Sequence, residues 1–411
     1  MYVYEAERDD LPATSAPRAR LASTRASRSG PRILDVGRGF GFARGASQAK
    51  IPPVKSFGVS GRRRLKSLSG RVLEQRNFTM DLCTILENPA PPGAVVSAIA
   101  ARDNWNLRAA RWSCGAACAG TIAILPGRAE FIEKYFEVIG ELLARNFDVA
   151  ILDWRGQGLS GRLAKDPRKG HIGDFRAYER DLDALVEQVL EPFCRPPWFA
   201  LGHSMGAAIA LAKARAGRSP FARMVLTAPM VDIYGLRFGR GMRIFAKALV
   251  LLGQGRRFVP GGGPKPYMSA SFEGNLLTSD VSRHARGAAI IEAAPELAIG
   301  DPTIGWINAA FRYMRRFEGV AYPCRILTPV LIVAAGADRV VDTATTEYFA
   351  SRLKAGKCLT LAHARHEILM ERDSFRDLFW AAFDAFLPGE RATGDGAAIN
   401  QRINNTNRRE T

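Results

Sequence analysis

The chain has 411 residues, enough for one large domain or two average ones, and 47% of them are hydrophobic, ample for a buried core. Its net charge of +18 invites a nucleic-acid reading, but residues 11–80 alone hold 15 Arg and Lys against only Asp35 and Glu74. The basic excess therefore belongs to an N-terminal arm, and no nucleic-acid partner is expected for the folded body. Cys83, Cys114, Cys118, Cys194, Cys324 and Cys358 are too few for a disulfide scaffold in so long a chain. Cys114 and Cys118 have no His or second Cys pair near them in sequence, so no metal site is expected, and all six read as reduced thiols in a reducing, cytoplasmic compartment. No apolar run reaches 18 residues, and the acidic start Met1–Asp10 lacks the charge and apolar core of a secretory signal.

Residues 1–80 are rich in Arg, Ser, Gly and Ala without a sustained apolar period, which predicts a disordered basic arm. Three readings stay open for it: a contact with anionic lipid or nucleic acid, an organelle transit peptide, or an extension upstream of a start at Met80. Strands are predicted at Ala94–Ala101 and Trp105–Trp112, an antiparallel pair around Asp103-Asn104. Apolar runs then alternate with amphipathic stretches: strand Thr121–Leu125, helix Glu130–Arg145, strand Phe147–Asp153, helix Phe175–Leu190, strand Trp198–Gly202, helix Ala207–Ala216, strand Met224–Ala228. Such alternation predicts an α/β fold, a mostly parallel central sheet with helices on both faces. Residues 230–325 interrupt it with helix-like stretches at Ile244–Leu252 and Ala288–Ala294. Strand Val330–Ala335, a helix from Thr343, strand Cys358–Ala362 and helix Phe375–Phe386 resume it, and a polar tail follows. The expected organisation is therefore an arm (1–80), a core in two parts (81–229 and 326–390), an insertion (230–325) and a disordered tail (391–411).

Gly202-His203-Ser204-Met205-Gly206 fits a Gly-x-Ser-x-Gly turn between a strand and a helix. The pentapeptide alone is a weak signal; a buried strand before it and a small-residue helix after it make it specific. A serine there meets the helix N-terminus, which favours developing negative charge. It still needs a base to take its proton. Of five histidines, His366 follows the last strand, where a loop can reach back over the sheet edge; His363 is the runner-up, and His203 reads as structural. The base needs an acid. Asp338 lies just past strand Val330–Ala335, whereas Asp342 is placed to cap the next helix. Two converging amides are needed to hold an oxyanion, and Met205 and Arg128 are the expected donors, the latter after Pro126-Gly127.

The stretches Leu125–Tyr135, Asp153–Ser160, Gly202–Gly206, Ala337–Asp342 and Arg365–Leu369 resemble the lysophospholipase and monoacylglycerol lipase family of α/β-hydrolases, with serine aminopeptidase-like relatives. The resemblance covers about residues 85–388. It implies the same nucleophile, acid and base, Ser204, Asp338 and His366, and it makes 230–325 a cap that supplies the acyl pocket. One departure is Pro126-Gly127, where many relatives have His-Gly; the oxyanion donor is a backbone group, so the chemistry is expected to survive. The Asp153–Ser160 turn reads as structural.

The expectation is a serine hydrolase that cleaves the ester of a lysophospholipid or monoacylglycerol through an acyl-enzyme, without metal or organic cofactor. A soluble carboxylesterase or peptidase is the alternative within the fold, and a non-catalytic binding protein using the basic arm is the alternative outside it. Ile244–Leu252 is apolar nearly all round and too short to span a membrane, which suits either a lipid-facing or pocket-lining helix or a buried cap helix. Membrane attraction to an anionic surface is expected of the basic arm. Leu276, Leu277 and Trp306 are further candidates for the pocket.

Overall fold

The structure is a computed structural model that describes residues 81–235 and 239–387. The arm and tail expected at 1–80 and 391–411 lie outside the described residues. Strands β1 (Val95–Ala100) and β2 (Asn106–Trp112) pair antiparallel around a turn in which Asn104 takes a positive φ of 58°. They continue into β3 (Thr121–Leu125), β4 (Asp148–Leu152), β5 (Trp198–His203), β6 (Arg223–Thr227), β7 (Val330–Ala335) and β8 (Gly356–Leu361). The eight strands form one sheet in the order β1-β2-β4-β3-β5-β6-β7-β8. Only β1–β2 and β2–β4 pair antiparallel; every other pairing is parallel. The parallel strands read as unbroken apolar runs because helices cover both of their faces. TIAIL in β3, for example, is buried at every residue.

One face packs on α2 (Arg176–Leu185), which continues through a π turn into the short α3 (Glu191–Phe193), and on α4 (Ser204–Arg215). The other packs on α1 (Phe136–Leu143) and the C-terminal helix Asp373–Phe386, which buries Phe379, Trp380 and Phe383. Large side chains buried like these contribute about 1.5–3 kcal/mol each.

The helix predicted from Glu130 starts later. Phe131 is extended, a 3-10 turn spans Ile132–Tyr135, and α1 follows. The cause is local: the Glu130 carboxylate turns back to accept from the Gly127 amide, and Asp153 Oδ1 accepts from the Ile132 amide at 3.0 Å.

Between β6 and β7 the chain leaves the sheet and forms α5 (Gly239–Leu251), α6 (Val281–Ala293) and α7 (Ile304–Met314). Asp280 caps α6 and Thr303 caps α7, each side chain accepting from the amide three residues on. Helix α7 has no counterpart among the predicted elements; its apolar side, with Trp306, Ala310 and Met314, is buried. The remaining helix, α8 (Thr343–Ser351), follows β7 and is capped by Asp342. α9 is the C-terminal helix.

Candidate active site

Strand β5 runs into α4 without a connecting loop, and Ser204 sits at the joint with φ at 49°. A residue with a β-carbon is strained there, and the surroundings must hold it. The flanking glycines show how tightly they do. A β-carbon on Gly202 would stand 2.9 Å from Leu226 Cδ2, and one on Gly206 only 2.1 Å from the Leu125 carbonyl oxygen. The turn is thus clamped between β6 and the chain leaving β3.

His366 Nε2 lies 3.1 Å from Ser204 Oγ, and His366 Nδ1 lies 2.7 Å from Asp338 Oδ2. Facing a carboxylate, Nδ1–H donates, which leaves Nε2 to accept from the serine hydroxyl. Asp338 Oδ1 accepts from the amides of Val340 at 2.7 Å and Val341 at 3.0 Å, so the carboxylate is fixed on both oxygens. Burial alone would lower the His366 pKa, but the Asp338 charge and hydrogen bond outweigh it and hold it above the ordinary imidazole value. Burial would raise Asp338; the imidazole and the two amides bring it below the usual carboxylate range.

None of the other histidines hydrogen-bonds to Ser204 Oγ. His363 is exposed. His203 is buried with its ring centroid 4.8 Å from that of His366, its Nδ1 is 3.0 Å from Thr227 Oγ1, and desolvation lowers its pKa to about 4. It stays neutral near pH 7. His171 Nδ1 lies 2.9 Å from Thr303 Oγ1, and His284 meets Phe272 edge-on. Asp342 accepts from the Thr345 amide at 2.7 Å and is occupied as a cap.

Met205 lies in the first turn of α4, where amides have no partner within the helix. In the facing loop, Gly127 N–H donates to Glu130 and Ala129 N–H to Gln157. Of these three consecutive amides, only that of Arg128 has no partner among the described residues. Trp154 Nε1 donates to the Pro126 carbonyl at 2.8 Å and fixes the loop from below.

Residues 116–373 match the family described as serine aminopeptidase, S33. The chain belongs to this family. The S33 match is accompanied by 32% identity over 270 residues to lysophospholipase L2 of Escherichia coli (strain K12), covering 62% of this chain and 77% of that one. The probable lysophospholipase L2 of Haemophilus influenzae is 31% identical over 255 residues, covering 62% and 79%. Among solved structures, a soluble variant of monoglyceride lipase from Saccharomyces cerevisiae superposes with a TM-score of 0.56 at 17% identity, over 71% of this chain and 96% of that one. The α/β-hydrolase fold expected from sequence is the fold observed.

This S33 family member also has a buried ionic network that the sequence reading did not foresee. Lys134 Nζ lies 2.8 Å from Glu130 Oε1 and 2.6 Å from Glu367 Oε1, and Tyr135 OH donates to Glu130 Oε2 at 2.6 Å. Lys134 therefore ties the loop bearing Arg128 to the residue that follows His366. All three charged side chains are at least nine-tenths buried. Glu130 and Lys134 stood in the stretch that carried the family resemblance, but nothing local shows that a lysine reaches a carboxylate 233 residues away.

At the opposite end of the sheet, side-chain atoms of Cys114, Cys118 and Asp148 lie within 4.8 Å of one another. Asp148 was not part of the sequence reading of the cysteine pair. Its carboxylate is already engaged by Arg195 through two nitrogens at 3.0 Å and by the Cys114 amide at 2.9 Å.

Proposed function

We propose that the protein is a serine hydrolase that cleaves the carboxylic ester of a monoacyl lipid, with Ser204 as nucleophile, His366 as base and Asp338 as acid. The unbroken series Ser204 Oγ, His366 Nε2, His366 Nδ1, Asp338 Oδ2 at a strained strand–helix joint carries this reading. Ser204 Oγ attacks the ester carbonyl as His366 takes its proton. The Met205 and Arg128 amides hold the oxyanion. His366 then returns the proton to the departing alcohol oxygen, leaving the acyl chain on Ser204. Water, deprotonated by His366, attacks the acyl-enzyme and releases the fatty acid. The lysophospholipase and monoglyceride lipase relatives support the lipid class.

The insertion supports delivery from a lipid surface. Along α5 only Ala246 is buried; Ile244 is 70% exposed, Leu251 77% and the adjacent Leu252 71%. A groove of about 670 Å³ between α5 and α7 is rimmed by Arg240, Arg243, Lys247, Arg312 and Arg315 against the single acid Glu318. Exposed apolar side chains beside an excess of cations suit an anionic bilayer, at about 1 kcal/mol per basic residue near the surface. The buried-helix alternative for Ile244–Leu252 does not fit this exposure.

One panel tests both statements. Wild type and Ser204→Ala are assayed on lysophospholipids, monoacylglycerols and short p-nitrophenyl esters, with vesicles of neutral or anionic lipid added. Wild type should favour the monoacyl lipids, and Ser204→Ala should lose at least about 10⁴-fold in rate. Full activity in Ser204→Ala would sink the mechanism. Co-sedimentation of Ser204→Ala with the same vesicles reads the docking, and equal binding to neutral and anionic vesicles would remove the charge-assisted docking.

A further inference from the structure

Charged side chains near the Arg128 loop are not all compensated. The arginines of the core are each held by two carboxylates: Arg108 by Glu133 and Asp153 at 2.8 Å, Arg155 by Asp103 and Asp181 at 2.7 and 2.6 Å. Arg376 lies against Glu137 and Glu141 in the same way. Arg128, Arg162 and Arg168 differ. None of the three has a carboxylate at ion-pair distance among the described residues. Arg128 Nη2 donates to the Gly300 carbonyl at 2.7 Å, its guanidinium stands 5.2 Å over the Trp306 ring, and its Nε is buried without a partner. Arg168 accepts from the Gly300 amide at 2.8 Å through its own carbonyl, and its Nη1 is likewise buried without a partner. Arg162 donates only to carbonyls, of Gly158, Ser160 and Glu296.

Burial lowers the pKa of both Arg128 and Arg162 to about 10, and the Arg168 charge adds to the effect on Arg162. The acids that act on these groups do so from a distance. Asp301 is felt by Arg128 but accepts from the Gly263 amide at 2.9 Å, and Asp153 is felt by Arg162 but is bound by Arg108. All three side chains are half-buried, with Arg128 Nε and Arg168 Nη1 out of reach of solvent. Cations so desolvated without counter-charge are costly, and an anion that completes their hydrogen bonds offsets that cost.

We propose that Arg128, backed by Arg168 and Arg162, forms the subsite for the phosphodiester of the leaving group, so that the enzyme prefers monoacyl phospholipids to neutral monoacylglycerols. This rests on the ester-hydrolase reading above. Position supports it. The chain leaving β3 touches the Ser204 turn at Gly206, so Arg128 starts beside the nucleophile and extends to the segment 300–306. Its guanidinium carbon is five bonds from its own Cα. In a 1-acyl lysophospholipid the phosphorus is six bonds from the ester carbonyl carbon, a comparable span. Arg is also the side chain best suited to grip phosphate oxygens in pairs. The same residue would then serve twice, its amide on the oxyanion and its side chain on the head group.

The test compares kcat/KM for lysophosphatidylethanolamine and for a 1-monoacylglycerol of the same chain length. Both are held below their micellar concentrations with the full chain, as wild type, Arg128→Gln and Arg168→Gln. Wild type should favour the phospholipid, and Arg128→Gln should lower that preference at least tenfold, mainly through KM. Arg168→Gln should lower it by a smaller factor in the same direction. Glycerol 3-phosphate should inhibit wild type competitively and Arg128→Gln more weakly, while inorganic phosphate reports whether the phosphate alone suffices. An unchanged preference in both variants, with both lipids hydrolysed, would overturn the subsite and leave the hydrolase reading standing. Hydrolysis of neither lipid by wild type would overturn the reading and the subsite with it. Arg168→Gln keeps the test decisive if Arg128→Gln does not fold.

Discussion

The loop at residues 126–135 has buried charge on two sides, arranged oppositely. On one side Lys134 sits between Glu130 and Glu367, and every charge has a partner within 2.8 Å. On the other, Arg128 reaches carbonyl oxygen and an aromatic face but no carboxylate. A paired cluster holds the polypeptide in place; an unpaired one stores a cost that a ligand can recover. The difference separates groups that position the site from groups that we propose read the substrate, although Arg128, Glu130 and Lys134 lie within a few residues of one another.

The largest expected effect comes from breaking the paired side. Lys134→Met leaves two buried carboxylates facing the same point without their cation. The cost should be about 3–5 kcal/mol, seen as a lower urea midpoint. The loop bearing the Arg128 amide would also lose its tie to the His366 loop, so kcat should fall while short esters still bind. Adding Glu367→Gln to Lys134→Met should return part of the stability, because only one carboxylate then remains uncompensated. A Lys134→Met protein as stable as wild type would mean that the pairing is incidental.

A smaller effect follows from pH. Burial would raise the Glu130 pKa, but the charges of Lys134 and His203 and the hydrogen bonds from Lys134 and Tyr135 bring it down to about 2. Glu367, sharing the same lysine, is raised by burial and by Glu130, so it takes up the pair's first proton on acidification. A carboxylate depressed in the folded state contributes stability above its unfolded pKa of about 4.3, and loses it as pH falls toward the folded value. The stability difference between wild type and Glu130→Gln should therefore be flat from pH 7 to pH 5, shrink below about pH 4.3 and vanish near pH 2. A difference that grew on acidification would have the wrong sign for a paired Glu130.

What could be read from sequence was what depends on neighbours in the chain. Ser204 declared itself through Gly202 and Gly206, Asp342 as a cap through the helix after it, and β3 and β7 through unbroken apolar runs. The positions chosen for acid and base rested on which strand ends face each other, a property of strand order, and the structure brings Asp338 and His366 together with Ser204. The partners of Lys134 and the isolation of Arg128 were hidden for a different reason. Whether a charge is compensated depends on residues more than a hundred positions away, such as Glu367 and Gly300. Helix α7 was missed because its apolar face meets the sheet side over Phe175 and Tyr178, so its pattern makes sense only once that surface exists.

The smallest effect should come from the unpaired side. Arg128→Met keeps an apolar stem as far as the Nε position and removes the guanidinium. It forfeits the hydrogen bond of a charged donor to Gly300, worth about 1.5–3 kcal/mol, and the stacking on Trp306, worth about 0.5–2 kcal/mol. It gains relief from a desolvated cation with no counter-ion, and a thioether still packs on an indole. The gain and the losses should nearly cancel, leaving the protein within about 1 kcal/mol of wild type, readable as a nearly unchanged urea midpoint. Removing Lys134 lowers stability because its partners are inside the protein. Removing Arg128 should not, because in the proposed scheme its partner arrives with the substrate. A loss of about 3 kcal/mol or more in Arg128→Met would place its counter-charge within the fold and erase the distinction between the two sides of the loop.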